Sequence, residues 1–124
     1  MPFIDNTNAP HFDIPGVSFT SLATPSRGTR ETAVWRLHVA PHNEGAVHHL
    51  TREEIIVAIS GTGVVRIGDE SYPLAPGDAF AIPAFTDFHI DGEGDTPFEA
   101  ISIMPAGSHA VVAGRPSFQP PWSI

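Results

Sequence analysis

The stretch "VHHLTREEIIVAISGTG", residues 47–63, decides how this chain reads. Two adjacent histidines lead into a pair of glutamates, an apolar run and a Gly-x-Gly. The β-branched run "EEIIVAIS" (53–60) is strand-like, and on a strand neighbouring side chains point to opposite faces. Glu53 and Glu54 therefore diverge, as do His48 and His49. Imidazole beside carboxylate is the donor chemistry of a metal site. A solvated, hydrogen-bonded pair of histidines is the other reading, and which histidine faces the glutamate stays open.

Working outward, the same punctuation recurs along the chain. Thirteen prolines and eleven glycines break the sequence into short runs rich in valine, isoleucine and phenylalanine. No long stretch carries a capped apolar stripe of helical period. The expected strands are 17–23, 32–40, 53–60, 63–68, 70–75, 78–83, 87–91 and 98–105, with a ninth at 109–114. Gly68-Asp69-Glu70 suits a tight hairpin, "APGD" (75–78) a proline-fixed turn, and "DGEGDTP" (91–97) a polar loop. This pattern predicts an all-β fold, a sandwich or a barrel. Residues 1–16 read as an N-terminal arm, 17–114 as the β-barrel, and 115–124 as a proline-rich C-terminal tail. Trp122 in "PPW" is expected to fold back across the barrel mouth or a dimer interface, a disordered tail being the alternative.

Composition narrows the function classes. At 124 residues the chain is long enough for one domain to bury its own core. The formal charge of −8, with no lysine and six scattered arginines, argues against nucleic acid and anionic membrane as partners. The absence of cysteine excludes disulfides, thiolate zinc sites and cysteine nucleophiles. No run approaches the roughly 18 to 20 apolar residues of a membrane span. The start "MPFIDNTNAP" lacks the features of a signal peptide, so a cytoplasmic location is expected. No G-x-S-x-G elbow or phosphate-binding loop occurs.

The stretch ending "HHLTREEIIVAISGTG" and the later "LAPGDAFAIPAFTDFHI" together resemble the two motifs of the cupin superfamily. Those motifs run G-x5-H-x-H-x(3 or 4)-E-x6-G and G-x5-P-x-G-x2-H-x3-N. Six residues separate Glu54 from Gly61, five separate Gly77 from Pro83, and 15 lie between Gly61 and Gly77. The resemblance spans roughly residues 30 to 105. It implies a double-stranded β-helix, the jelly-roll-like cupin barrel of two antiparallel sheets, and a homodimer. It also implies that Glu54 points into the barrel while Glu53 faces solvent.

In that family the motif histidines and glutamate surround one metal ion. Carried over here, the resemblance implies a divalent transition metal (iron, manganese, nickel, zinc or copper) held by His48, His49, Glu54 and His89. The sequence departs from the pattern in both motifs. If His49 is the second motif histidine, the first is Val47; if His48 is the first, the second is Leu50. In the second motif Phe85 stands for the glycine, Phe88 for the histidine and Gly92 for the asparagine, with His89 one residue late. A bulge in "PAFTDFH" would re-aim His89.

Glu54 and His48 are the expected catalytic residues, with Arg36, His38, Phe80, Phe85 and Phe88 as expected pocket residues. Arg36 and His38 share a strand face opposite Trp35, Leu37 and Val39; that face either lines the barrel or lies in solvent. Two functions follow from the resemblance. One is a metal-dependent oxygenase, isomerase or cyclase acting on a small organic metabolite. The other is a metal-free cupin that serves as a ligand-binding or accessory module, or uses histidine and glutamate as an acid–base pair.

Overall fold

The computed structural model describes residues 2–124. Eleven strands run β1(His11–Ile14), β2(Val17–Ala23), β3(Thr32–Val39), β4(His49–Leu50), β5(Glu54–Ser60), β6(Thr62–Ile67), β7(Glu70–Leu74), β8(Ala79–Ile82), β9(His89–Glu93), β10(Phe98–Pro105) and β11(Ala110–Val111). No α-helix occurs among the described residues; Pro25–Arg27 and Pro121–Ser123 are short 3-10 turns. The strands form a six-stranded sheet in the order β1-β2-β3-β10-β5-β8, a three-stranded sheet β7-β6-β9 and the pair β11-β4. All ladders are antiparallel. The bridge His48↔Phe88 ties the short pair to the start of β9.

Alternation builds the core. Along β3 the buried residues are Ala33, Trp35, Leu37 and Val39, and along β10 they are Phe98, Ala100, Ser102 and Met104. On β5 they are Glu54, Ile56 and Ala58. Val65 of β6 and Leu74 of β7 close the cluster from the opposite layer, with Leu50 of β4 and Phe88. Pro73 sits in β7, an edge strand, where its missing N–H costs no ladder bond.

The expected all-β barrel is therefore present, with most strand limits close to those expected. Three segments differ. His11–Ile14, within the expected arm, is the edge strand β1 and pairs with β2. His49–Leu50 forms β4, too short to announce itself. The strand expected at 87–91 is displaced to His89–Glu93, because Asp91 and Glu93 find cationic partners on the sheet's outer face and need no loop. The tail packs back on the barrel: the Trp122 ring stacks on Phe19 at 3.5 Å and 4°. Ser21 Oγ donates to the Trp122 carbonyl at 2.8 Å.

Gly61 turns the chain from β5 into β6 at φ 71°, and a Cβ there would lie 2.0 Å from the Pro97 carbonyl oxygen. Gly68 has φ 58° with open space around it. Gly61→Ala should thus cost well over about 2 kcal/mol, from left-handed strain plus the clash, and Gly68→Ala only about 1 kcal/mol. Urea unfolding of both variants beside the parent measures the difference, and equal losses would contradict it.

Candidate functional site

Strand parity settles which side chains the first motif sends inward. Leu50 is buried at 6 % exposure and Phe88, opposite His48 in the bridge, at 1 %. His48 shares their side, its ring tilted against Phe88 with centroids 4.4 Å apart. Its Nδ1 lies 2.9 Å from the Ala46 carbonyl, which can only accept, so Nδ1 carries the proton and Nε2 is left as acceptor. Burial pushes the His48 pKa down, against the opposing pull of the Ala46 bond, so the ring is neutral at neutral pH.

Glu54 reaches the interior at the start of β5, between β10 and β8, and is 4 % exposed. Burial raises its pKa from 4.5 to about 7, and the Ser102 hydroxyl pulls weakly the other way. Ser102 Oγ has no hydrogen-bond partner of good geometry. No arginine or histidine forms an ion pair with Glu54 among the described residues.

The remaining expected donors lie elsewhere. His49, next along from His48, turns outward and donates from Nδ1 to Asp87 Oδ1 at 2.9 Å. His89, next to Phe88, points to the outer face of the three-stranded sheet and donates from Nδ1 to Asp91 Oδ1 at 2.8 Å. No bulge re-aims it: Ile90 continues opposite Val65, and Arg66 lies opposite His89. His48, His49, Glu54 and His89 do not converge. Among the described residues no three histidine, aspartate or glutamate side chains gather as a metal centre would need. Of the three positions that the motif gives to ligating histidines only the first keeps one, His48; the others hold Leu50 and Phe88, so the residues present do not fit the metal.

The pocket candidates are also dispersed. Arg36 and His38 lie on the outer face of the six-stranded sheet, where Arg36 makes a long 3.9 Å contact with Glu99 worth little in solvent. His38 borders a surface concavity of about 420 Å³ beside Ser60, Thr96 and Pro97. Phe80 is half-buried against Tyr72. Phe85 stands 68 % exposed with φ 61°, and its N–H donates to the Leu50 carbonyl at 2.8 Å. It stands where the motif has glycine, and holding a phenylalanine in this left-handed conformation costs about 1–2 kcal/mol.

Reasoning from the sequence missed a second polar centre, on the outer face of β6 and β9. Arg66 donates from Nε to Asp91 at 2.6 Å, from Nη2 to Glu93 at 2.9 Å and from Nη1 to Ser71 at 2.7 Å. Burial raises the Asp91 pKa, but bonds from Gly45 N–H, His89 and Arg66 outweigh it and hold the carboxyl below its usual range. Arg66, His89, Asp91 and Glu93, with His42 to Glu44, border a concavity of about 460 Å³. The alternating acids of "HIDGE" beside Arg66 were the signal.

Residues 35–104, more than half of the chain, match the family model described as Cupin domain. No curated protein sequence matches. Among solved structures, the polyketide cyclase RemF from Streptomyces resistomycificus superposes with a TM-score of 0.78 at 14 % identity, covering 98 % of this chain and 88 % of its own. KdgF from Halomonas sp. gives 0.70 at 22 % identity, covering 83 % and 93 %. A salicylate 1,2-dioxygenase from Pseudoaminobacter salicylatoxidans, in adducts with gentisate, gives 0.72 at 17 % identity; this chain spans 31 % of it.

The buried carboxyl makes stability fall with pH in a definite window. Because folding raises the Glu54 pKa, its contribution is full below about pH 4.5, declines as pH rises and levels off above about 7, a loss of about 3 kcal/mol at most. Glu54→Gln removes that loss. Denaturant unfolding from pH 4.5 to 8.5 should find the variant near the parent at the acid end and more stable at the alkaline end. A constant gap between the two would contradict the assignment.

Proposed function

This chain belongs to the cupin domain family, and from that premise we propose that it is a metal-independent member that binds a small organic molecule. The observation that carries the reading is the pair Leu50 and Phe88, both buried, at positions where the family motif holds metal-ligating histidines. An aliphatic side chain and a phenyl ring donate no electron pair to a cation, and His48 with Glu54 alone falls short of a closed or open metal centre. What the interior keeps is a neutral imidazole and a carboxyl group that titrates near neutrality. Each of these groups suits proton exchange or hydrogen bonding with an organic ligand better than the holding of a divalent ion. The polyketide cyclase that aligns along nearly the whole chain gives a small barrel of this size a precedent for work on organic molecules.

A second copy is the proposed partner. Val34, Ile103 and Ile55 lie side by side on the outer face of the six-stranded sheet, with Ile101 and Val57 beside them. Ala79 and Ala81 extend the face, and Ile59 is exposed at its edge. A two-fold contact buries this patch against itself, sheet on sheet.

Two experiments test these readings. Elemental analysis of tag-free protein should find no stoichiometric iron, manganese, nickel, copper or zinc, and chelator should leave the thermal midpoint unchanged. Near-equimolar metal lost in Glu54→Ala would contradict the reading. In sedimentation the parent should run at twice its chain mass and Ile101→Arg at the single mass with unchanged circular dichroism; a monomeric parent would refute the dimer.

A further inference from the structure

Phe85 is one of two non-glycine residues with positive φ among the described residues, the other being His42. Its conformation is fixed by the N–H bond to Leu50, yet its ring is 68 % exposed, so burial in the core returns nothing for the strain. Conformational strain kept without an internal return points to a task for the side chain. Its neighbours supply the chemistry. The His49 ring lies 6.0 Å away, centroid to centroid, tilted by 51°. Asp87 can only accept, so it fixes a proton on His49 Nδ1, and in the uncharged tautomer that this bond selects Nε2 is the acceptor.

We propose that Phe85, His49 and Asp87 form a rim site for a planar aromatic molecule bearing a hydroxyl group. The aromatic ring lies against the face of Phe85, and the hydroxyl donates to His49 Nε2. Stacking needs the flat partner, and an acceptor nitrogen beside an exposed carboxylate selects a neutral donor over an anion. The net charge of −8 acts in the same direction. The site lies at the rim, on the other side of the strand from His48 and Glu54; it names a ligand class and rests on the reading that the chain binds a small organic molecule.

The test is a titration of chelator-treated protein with 2-naphthol, followed by amide NMR, beside the Phe85→Gly variant and the ether 2-methoxynaphthalene. The parent should show saturable shifts centred on residues 47–50 and 84–88. Phe85→Gly should bind at least about tenfold more weakly while its thermal midpoint rises, and the ether should bind the parent about tenfold more weakly. Absence of saturable shifts, shifts centred elsewhere, equal binding by Phe85→Gly or by the ether, or a lowered midpoint in the variant would overturn the site. Binding at these same amides only after zinc or manganese is added would uphold the site and overturn metal independence.

Discussion

Glu54 enters the barrel because the apolar residues that follow it must. Ile56 and Ala58 occupy alternate positions on β5 and are buried between β10 and β8, so the same register carries the carboxyl two residues earlier inside. A slip of one residue would place Ile55, Val57 and Ile59 in the core and Ile56 in solvent. The barrel thus accepts an ionisable group in a desolvated position as the consequence of a well-specified strand. No cationic partner offsets it, and the group responds by holding its proton to higher pH.

The same parity governs the loops that face Glu54. Leu50 and Phe88 turn inward, bringing His48 with them and sending His49 and His89 out. Four residues that stand close in sequence to a metal-binding pattern are consequently split between the interior, the rim and the outer face. Each outward histidine is taken up by a carboxylate of its own, His49 by Asp87 and His89 by Asp91. The outer pair belongs to a network in which Arg66 binds two acids and a serine, while Asp91 also holds the backbone of Gly45. That network fastens the 42–45 loop to β9, and it explains why an acidic segment is strand.

Much of this was legible in the residues. The resemblance carried by the spacing from Glu54 to Gly61 and from Gly77 to Pro83 implied the barrel. Alternation put Trp35, Leu37 and Val39 on one face of their strand but left open which face turns inward, and it is theirs that is buried. The direction of the histidines was also encoded, since an apolar Leu50 and Phe88 predict their own burial and hence that the side chains of His49 and His89 turn to the opposite face. Motif matching obscured that simpler signal by asking which histidine filled a ligand position. Less could be read where local pattern is weak: β4 has two residues, β1 sits in a polar arm, and Asp91 and Glu93 depend on Arg66, distant in sequence. The stacking of Trp122 on Phe19 is likewise a tertiary fact with no local signature.

The proposed metal independence rests on Glu54, a carboxyl group inside the barrel with no ion-pair partner among the described residues. Carbon-13 NMR of the Glu54 side-chain carboxyl, followed through pH, measures this directly. The expected midpoint lies near pH 7 and does not move when iron(II), manganese, nickel or zinc is added in excess. A carboxylate ionised down to its ordinary range near 4.5, or a midpoint drawn down by any of these ions, would contradict it.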